Sequence, residues 1–170
     1  MTAQRQLSEQ QQALARVAAV QNRLVQHSDW SEQACRLHDD SFAAIVEARV
    51  PRLFLPTGLG GDEVNPMTCA SVCEEIAASD TAAAWHLVSF NAAQLMATNW
   101  PAASGDTLRV APPHRMGGAN SPAPSRSPRN GRRLYQGGTH SFVSGCNFAE
   151  WLMSQILMDG VLHNGVIAMR

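Results

Sequence analysis

Residues 65–97 read NPMTCASVCEEIAASDTAAAWHLVSFNAAQLMA, and this stretch decides the fold. Asn65 before Pro66 is a helix start. The Asn side chain can accept from a free first-turn N–H, and proline lacks an N–H that would go unpaired there. The helix is expected to run to about Ala78, with Met67, Ala70, Cys73, Ile76 and Ala77 on its apolar side. Ser79-Asp80 then ends one helix and caps the next, over residues 81–98. That second helix is apolar nearly all round, which predicts burial on most sides. Trp100-Pro101 closes it. Two helices with so tight a junction form a hairpin or corner.

Upstream, residues 4–37 read as one long helix or two in series, with Leu7, Leu14, Val17, Val20, Leu24 and Val25 at helical spacing. Ser28-Asp29 offers a break, and Ser31 an N-cap for a second piece. Asp40 or Ser41 caps a further helix carrying Phe42, Ile45 and Val46, which Pro51 stops. Residues 52–61 form a short extended piece and a glycine-rich turn. A phosphate-cradling loop needs a helix directly after it. Here Asp62 and Glu63 follow and would repel an anion, so the turn reads as a connector.

Downstream, residues 107–138 hold six Arg (109, 115, 126, 129, 132, 133) and five Pro, with no Asp or Glu. Hydrophobic periodicity disappears there. Three readings fit: a basic linker, a nucleic-acid-contacting arm, or GC-rich DNA read out of frame, the last suiting a chain whose basic residues are all Arg. Pattern returns at Thr139–Gly160, with two short strands expected at about 140–144 and 150–158. Thr139, Ser141 and Ser144 set hydroxyls beside Phe142, a composition for a face half packed and half hydrogen-bonded, or for an ordinary strand with solvated serines. His163-Asn164-Gly165 reads as a hairpin turn.

A length of 170 residues suffices for one domain with a real core, or for a helical domain plus part of another, and the net charge of −1 gives no general pull toward nucleic acid or membrane. The most apolar stretch, residues 82–97, is too short and too polar to span a bilayer. Cys69 and Cys73 are four apart with no Cys or His partner nearby, so free thiols are expected rather than a metal site, as in a reducing cytoplasm. Glu74 and Glu75 are adjacent and point about 100° apart on a helix, so they form no shared acid/base pair.

Several motifs now align. Phe54-Leu55-Pro56 with Gly60-Gly61, the 67–80 helix, Thr81-Ala-Ala-Ala-Trp85 and Ser141-Phe-Val-Ser-Gly145, in this order, resemble the acyl-CoA dehydrogenase superfamily. The Ala-Ala-Trp and Ser-Phe-Val-Ser-Gly versions look most like its flavin-dependent monooxygenase branch. The resemblance covers about 38–105 and 135–160. It implies an α+β chain: an α-helical N-terminal domain of acyl-CoA dehydrogenase type (4–105), an irregular Arg/Pro-rich segment (106–134) and an incomplete β-barrel-like middle domain (135–170). The family's C-terminal four-helix bundle has no counterpart, so the chain is expected to be a fragment and no catalytic residue carries over.

The resemblance further implies a flavin, FAD or FMN, with Phe142 packing on its ring and Val143 and Ser144 at its polar edge. It makes Trp85, His86, Val88 and Asn91 candidates for the substrate pocket, each with core packing as the other reading. Implied partners are a small organic substrate, a flavin reductase and, in full-length relatives, further copies of the chain. The isolated chain is expected to bind flavin weakly and to show little turnover. The competing reading is a non-enzymatic helical interaction protein whose basic arm touches nucleic acid; it lacks a recognition helix and a stacking platform.

Overall fold

The structure is a computed structural model and describes residues 3–97, 116–123, 129–130, 133–134, 143–158 and 161–168. Its first element, α1 (Ala3–Gln33), is one unbroken helix. Ser28 and Ser31 do not interrupt it. Their hydroxyls donate back to the Val25 carbonyl (3.1 Å) and the His27 carbonyl (3.0 Å), which lets serine sit inside a helix. Ala13, Val17, Val20 and Leu24 form its buried stripe, at alternating steps of four and three. Helix α2 (Asp39–Glu47) is capped by His38, whose Nδ1 accepts from the Asp40 N–H at 3.1 Å. The cap therefore lies two or three residues before the expected Asp40 or Ser41. Ser31 still serves this helix, because its hydroxyl accepts the His38 N–H at 3.1 Å.

Residues 50–64 are a built loop rather than a slack connector. The N–H groups of Asp62, Glu63 and Val64 donate to the carbonyls of Arg52 (2.9 Å), Leu55 (3.1 Å) and Leu53 (2.9 Å). Asp62 takes ion pairs from Arg16 at 2.5 Å and Arg49 at 2.8 Å. Gly61 is there because a Cβ would lie 1.8 Å from the Leu55 carbonyl oxygen. The loop is fastened to the core by Asn91, which donates to the carbonyls of Val50 and Leu87 (2.9 Å each) and accepts from the Phe54 N–H (3.1 Å). Gln94 adds a bond to the Pro51 carbonyl.

Helix α3 (Pro66–Ala77) starts as its sequence dictates, with Asn65 Oδ1 accepting the Thr68 N–H at 2.9 Å. Its inward face is Thr68, Cys69, Val72 and Ile76, while Met67 is 74% exposed. The expected face is thus rotated. The Asn65 amide also donates to Thr68 Oγ1, which draws Thr68 inward and turns Met67 out. Helix α4 (Thr81–Ala97) opens at Asp80, 4% exposed, whose Oδ1 accepts the Ala83 N–H at 3.0 Å. Ala83, Ala84, Leu87, Phe90 and Ala93 are buried. Trp85, Val88, Leu95 and Met96 are exposed, so α4 is covered on one side instead of most.

The sheet has the order β4-β1-β5-β6. Its strands are β1 (Met116–Ala123), β4 (Val143–Ser144), β5 (Trp151–Met158) and β6 (Val161–Ala168), beside a separate pair of β2 (Arg129–Asn130) and β3 (Arg133–Leu134). Strand β1 runs antiparallel to β4 (Gly118↔Ser144) and parallel to β5 (Met116↔Trp151). The expected strand at 150–158 is β5. Residues 163–165 do not turn: they lie opposite Ile156, Gln155 and Ser154 in a β5–β6 ladder that runs unbroken from Trp151↔Ala168 to Met158↔Val161. Continuous pairing outweighs the local turn preference of Asn-Gly. Strand β1 lies within the Arg/Pro-rich segment, where no periodicity marked a strand. It contains Pro122, and its register with β5 shifts between Ala119 and Ala123, as a residue without an N–H requires. Among the described residues no closed barrel forms. Helix α4 packs against β1 and β4.

Gly61→Ala is expected to lower stability by about 3 kcal/mol through overlap with the Leu55 carbonyl. Gly58→Ala, with nothing within 4 Å of the added carbon, should change it by less than about 1 kcal/mol. Urea denaturation of the two variants against the parent checks this contrast.

Candidate functional site

The structure brings two of the sequence-expected residues together from opposite halves of the chain. Trp85 lies on the exposed side of α4, and its indole N–H donates to Ser144 Oγ at 2.9 Å. A hydroxyl that accepts at its oxygen still has its own proton to donate elsewhere. Val88, three residues on and 43% exposed, continues the Trp85 face. Val143 and Ser144 are half-buried. Phe142 lies outside the described residues, as do Thr139 and Ser141.

Strand β4 is two residues long, so its position depends on the turn after it. Gly145 has φ +79°, and a Cβ there would meet Phe90 Cε1 at 3.0 Å. The Phe148 N–H donates to the Gly145 carbonyl at 3.1 Å, closing the turn. Phe148 then stacks on Phe42 of α2, with ring centroids 4.0 Å apart and planes within 10°.

His86 and Asn91 point inward. His86 Nδ1 is 2.8 Å from the Ala82 carbonyl, and its ring lies 5.9 Å from that of Phe90 and 5.7 Å from that of Phe148. Burial holds its pKa below the usual imidazole value, against opposing contributions from the Ala82 bond and from Asp80. Asn91, 1% exposed, commits its amide to the 50–54 loop and to α4 itself.

Other reactive groups lie elsewhere. All four cysteines are free thiols. Burial, with Cys73 nearby, raises the Cys69 pKa to about 11, and burial raises that of Cys73, so neither is an activated nucleophile. An open cleft of about 310 Å³ lies between Phe54, Pro56, Glu63, Val64, Pro66 and Leu95. Its one carboxylate, Glu63, is held below the usual range by the Thr57 N–H and then the Thr57 hydroxyl. His27, His38 and Asp40 gather between α1 and α2. Of the basic segment, Arg109, Arg115, Arg126 and Arg132 lie outside the described residues. No helix among the described residues is long and apolar enough to cross a membrane.

No family model matches the sequence, and no curated protein matches it. Solved structures do. XiaF from Streptomyces sp., in complex with FADH2 and glycerol, superposes with a TM-score of 0.86 at 17% identity over 97% of this chain and 43% of its own. The fold is the acyl-CoA dehydrogenase-like one. The 3-HSA hydroxylase from Rhodococcus sp. RHA1 has this fold too, with a TM-score of 0.78, 20% identity and coverage of 92% of this chain and 42% of that one. So does the HsaA monooxygenase from M. tuberculosis, at TM-score 0.80, 16% identity, and 94% and 43% coverage. The chain spans less than half the length of these structures. The resemblance read from the sequence and the likeness of the coordinates thus meet on one fold.

The Trp85–Ser144 bond had no signal in the sequence, since 59 residues separate its ends. The nearest clue to the geometry was Gly145, where an aromatic strand motif stops.

Two tests follow from this packing. Gly145→Ala should destabilise the chain by about 1–3 kcal/mol, since it combines a left-handed φ with contact on Phe90, and thermal unfolding reads the loss. Because the His86 pKa is lower in the folded than in the unfolded state, its contribution is full above the unfolded value of about 6.5. It is lost as pH falls through the depressed folded value. His86→Gln should remove that part of the acid-side slope of stability against pH.

Proposed function

We propose that the chain forms part of a flavin-dependent oxidoreductase of the monooxygenase type, and that the exposed Trp85–Ser144 face is one wall of its flavin and substrate site. The observation that carries this reading is the indole-to-hydroxyl bond itself. It presents a hydroxyl proton beside an uncharged apolar face on α4. A flavin ring needs such a wall: flat apolar contact across its face and a donor at its polar edge. Val143, Ser144 and Trp85 fit that requirement, and Phe142 directly precedes Val143 in the same motif. The likeness to a structure that carries FADH2 supports the choice of cofactor class.

A bound flavin would supply two-electron redox chemistry and, when reduced, the reaction with oxygen. The residues of this chain orient and shield. Trp85 donates to the Ser144 oxygen, which would leave the serine proton free to donate to the cofactor. Val88 and the outer surface of the Trp85 ring face the small organic substrate. His86 and Asn91 support this face from behind, one through the aromatic cluster and the other through the 50–54 loop. FAD or FMN would be the flavin, a reductase its source of electrons, the cytoplasm its setting and further copies of the chain its assembly partners.

Among the described residues Trp85, Val88 and Met96 are exposed along α4, and a redox site needs such a wall covered against water. The isolated chain is therefore expected to bind FAD or FMN with a Kd of about 10 μM or weaker. It should turn over no substrate. Titration of each flavin, read by fluorescence quenching, measures the affinity. Ser144→Ala and Trp85→Phe should each weaken binding about fivefold. Their double variant should lose little more, because both remove the same bond. A chain with intact helical circular dichroism and no quenching at millimolar flavin would sink the proposal. Turnover by the chain alone would refute its dependence on cover.

A further inference from the structure

We propose that His27, His38 and Asp40 form a binding site for a late first-row divalent metal ion such as Zn(II), Ni(II) or Co(II). The site lies where α1 hands over to α2, and it is independent of the Trp85–Ser144 face.

Three local features build it. Cys35 takes a left-handed φ of 51°, which reverses the chain after α1. Leu37 is fully buried and pins the turn to the core. The Ser31 hydroxyl accepts the His38 N–H at 3.1 Å and sets the direction in which His38 leaves the backbone. As a result the His38 ring lies flat on that of His27, with centroids 3.8 Å apart and planes within 4°. Asp40 Oδ2 is 3.5 Å from His27 Nε2. One ligand atom from each of the three residues lies within 4.8 Å of the others.

The chemistry of the set suits such an ion. Two borderline imidazoles with one harder carboxylate make a donor set that zinc and its neighbours take, with a position left for water. The local guanidinium groups are paired with other carboxylates: Arg23 pairs with Glu47 at 2.6 Å and donates to the Asp40 backbone carbonyl at 3.3 Å, and Arg36 pairs with Asp39 at 2.6 Å. The Asp40 carboxylate is left to face His27. Donor atoms around a tetrahedral ion with bonds near 2.0–2.1 Å are roughly 3.4 Å apart. The existing separations are therefore close, and ring rotation completes the approach.

That rotation has a traceable consequence. Lone pairs lie in the imidazole planes, so two parallel rings do not converge on one point until one of them tilts. His38 Nδ1 accepts the Asp40 N–H as the cap of α2. Ligation through either nitrogen of His38 ends that bond, because it uses the Nδ1 lone pair or places a proton there. Metal binding must then alter the first turn of α2, at the Asp40 amide in particular.

The experiment uses the untagged full chain. Calorimetric titration with Zn(II) should show one equivalent bound. His27→Gln should weaken binding roughly tenfold or more, and Asp40→Asn by a smaller factor. His38 is left intact in the tests because it caps α2. With Zn(II), the Asp40 amide resonance should shift while those of α3 stay in place. Co(II) should give d–d absorption without a sulfur charge-transfer band. Absence of binding at millimolar Zn(II), affinity unchanged in His27→Gln, or a sulfur band assigning the metal to a cysteine would each overturn the proposal.

Discussion

The stack of Phe42 on Phe148 joins the helical layer to the sheet, and the geometry of the candidate site depends on it. Phe42 comes from α2 and Phe148 from the turn after β4, while His86 and Phe90 of α4 close the cluster around them. Aromatic pairs of this kind are worth about 0.5–1.5 kcal/mol beyond the area they bury. A two-residue strand such as β4 has little ladder of its own, so the cluster settles where Ser144 lies. The narrow fit of Gly145 on Phe90 leaves no room for a side chain at the pivot. Trp85 can reach Ser144 only because this joint holds the two segments at a fixed distance.

Helix α4 serves both sides of the arrangement. Its inner face carries apolar residues together with Asn91 and Gln94, whose amides meet otherwise unpaired backbone groups of the 50–54 loop. A buried loop backbone needs such partners, because an unpaired carbonyl or N–H out of water costs about as much as a lost hydrogen bond. Its outer face carries Trp85, Val88, Leu95 and Met96. One helix thus anchors the loop, supports β4 and presents the candidate site.

What was legible in the sequence was what local physics decides. Asn65-Pro66 and Ser79-Asp80 cap helices by side-chain bonds within three residues, and both behave as read. The apolar run of β5 also declares itself. Features set by distant partners were not legible. Met67 and Thr68 compete for the inward position of α3, and a cap contact rather than hydrophobicity selects Thr68. The outward stripe of α4 is as apolar as the buried one, so composition could not separate them. Strand β1, rich in Gly, Ala and Pro, is held by neighbours on both sides rather than by propensity. For the site, the motif residues Trp85 and Ser144 stood out individually, yet nothing local tied one to the other. The approach of His38 to His27 was hidden for the same reason: it follows from a left-handed residue and a serine hydroxyl between them.

The parallel pairing of β1 with β5 bears on how the chain acquires its shape. Met116 must find Trp151 across an intervening stretch that includes β4. Long-range parallel pairing yields its contacts only after that loop has closed, whereas helices and their hairpins close locally. The expected order of folding is therefore helices first and sheet second. During synthesis the α1–α4 layer emerges before the sheet, with Phe42 and Phe90 already in place as a docking surface for the turn that carries Gly145 and Phe148. The helical layer acts as the template on which the sheet is registered.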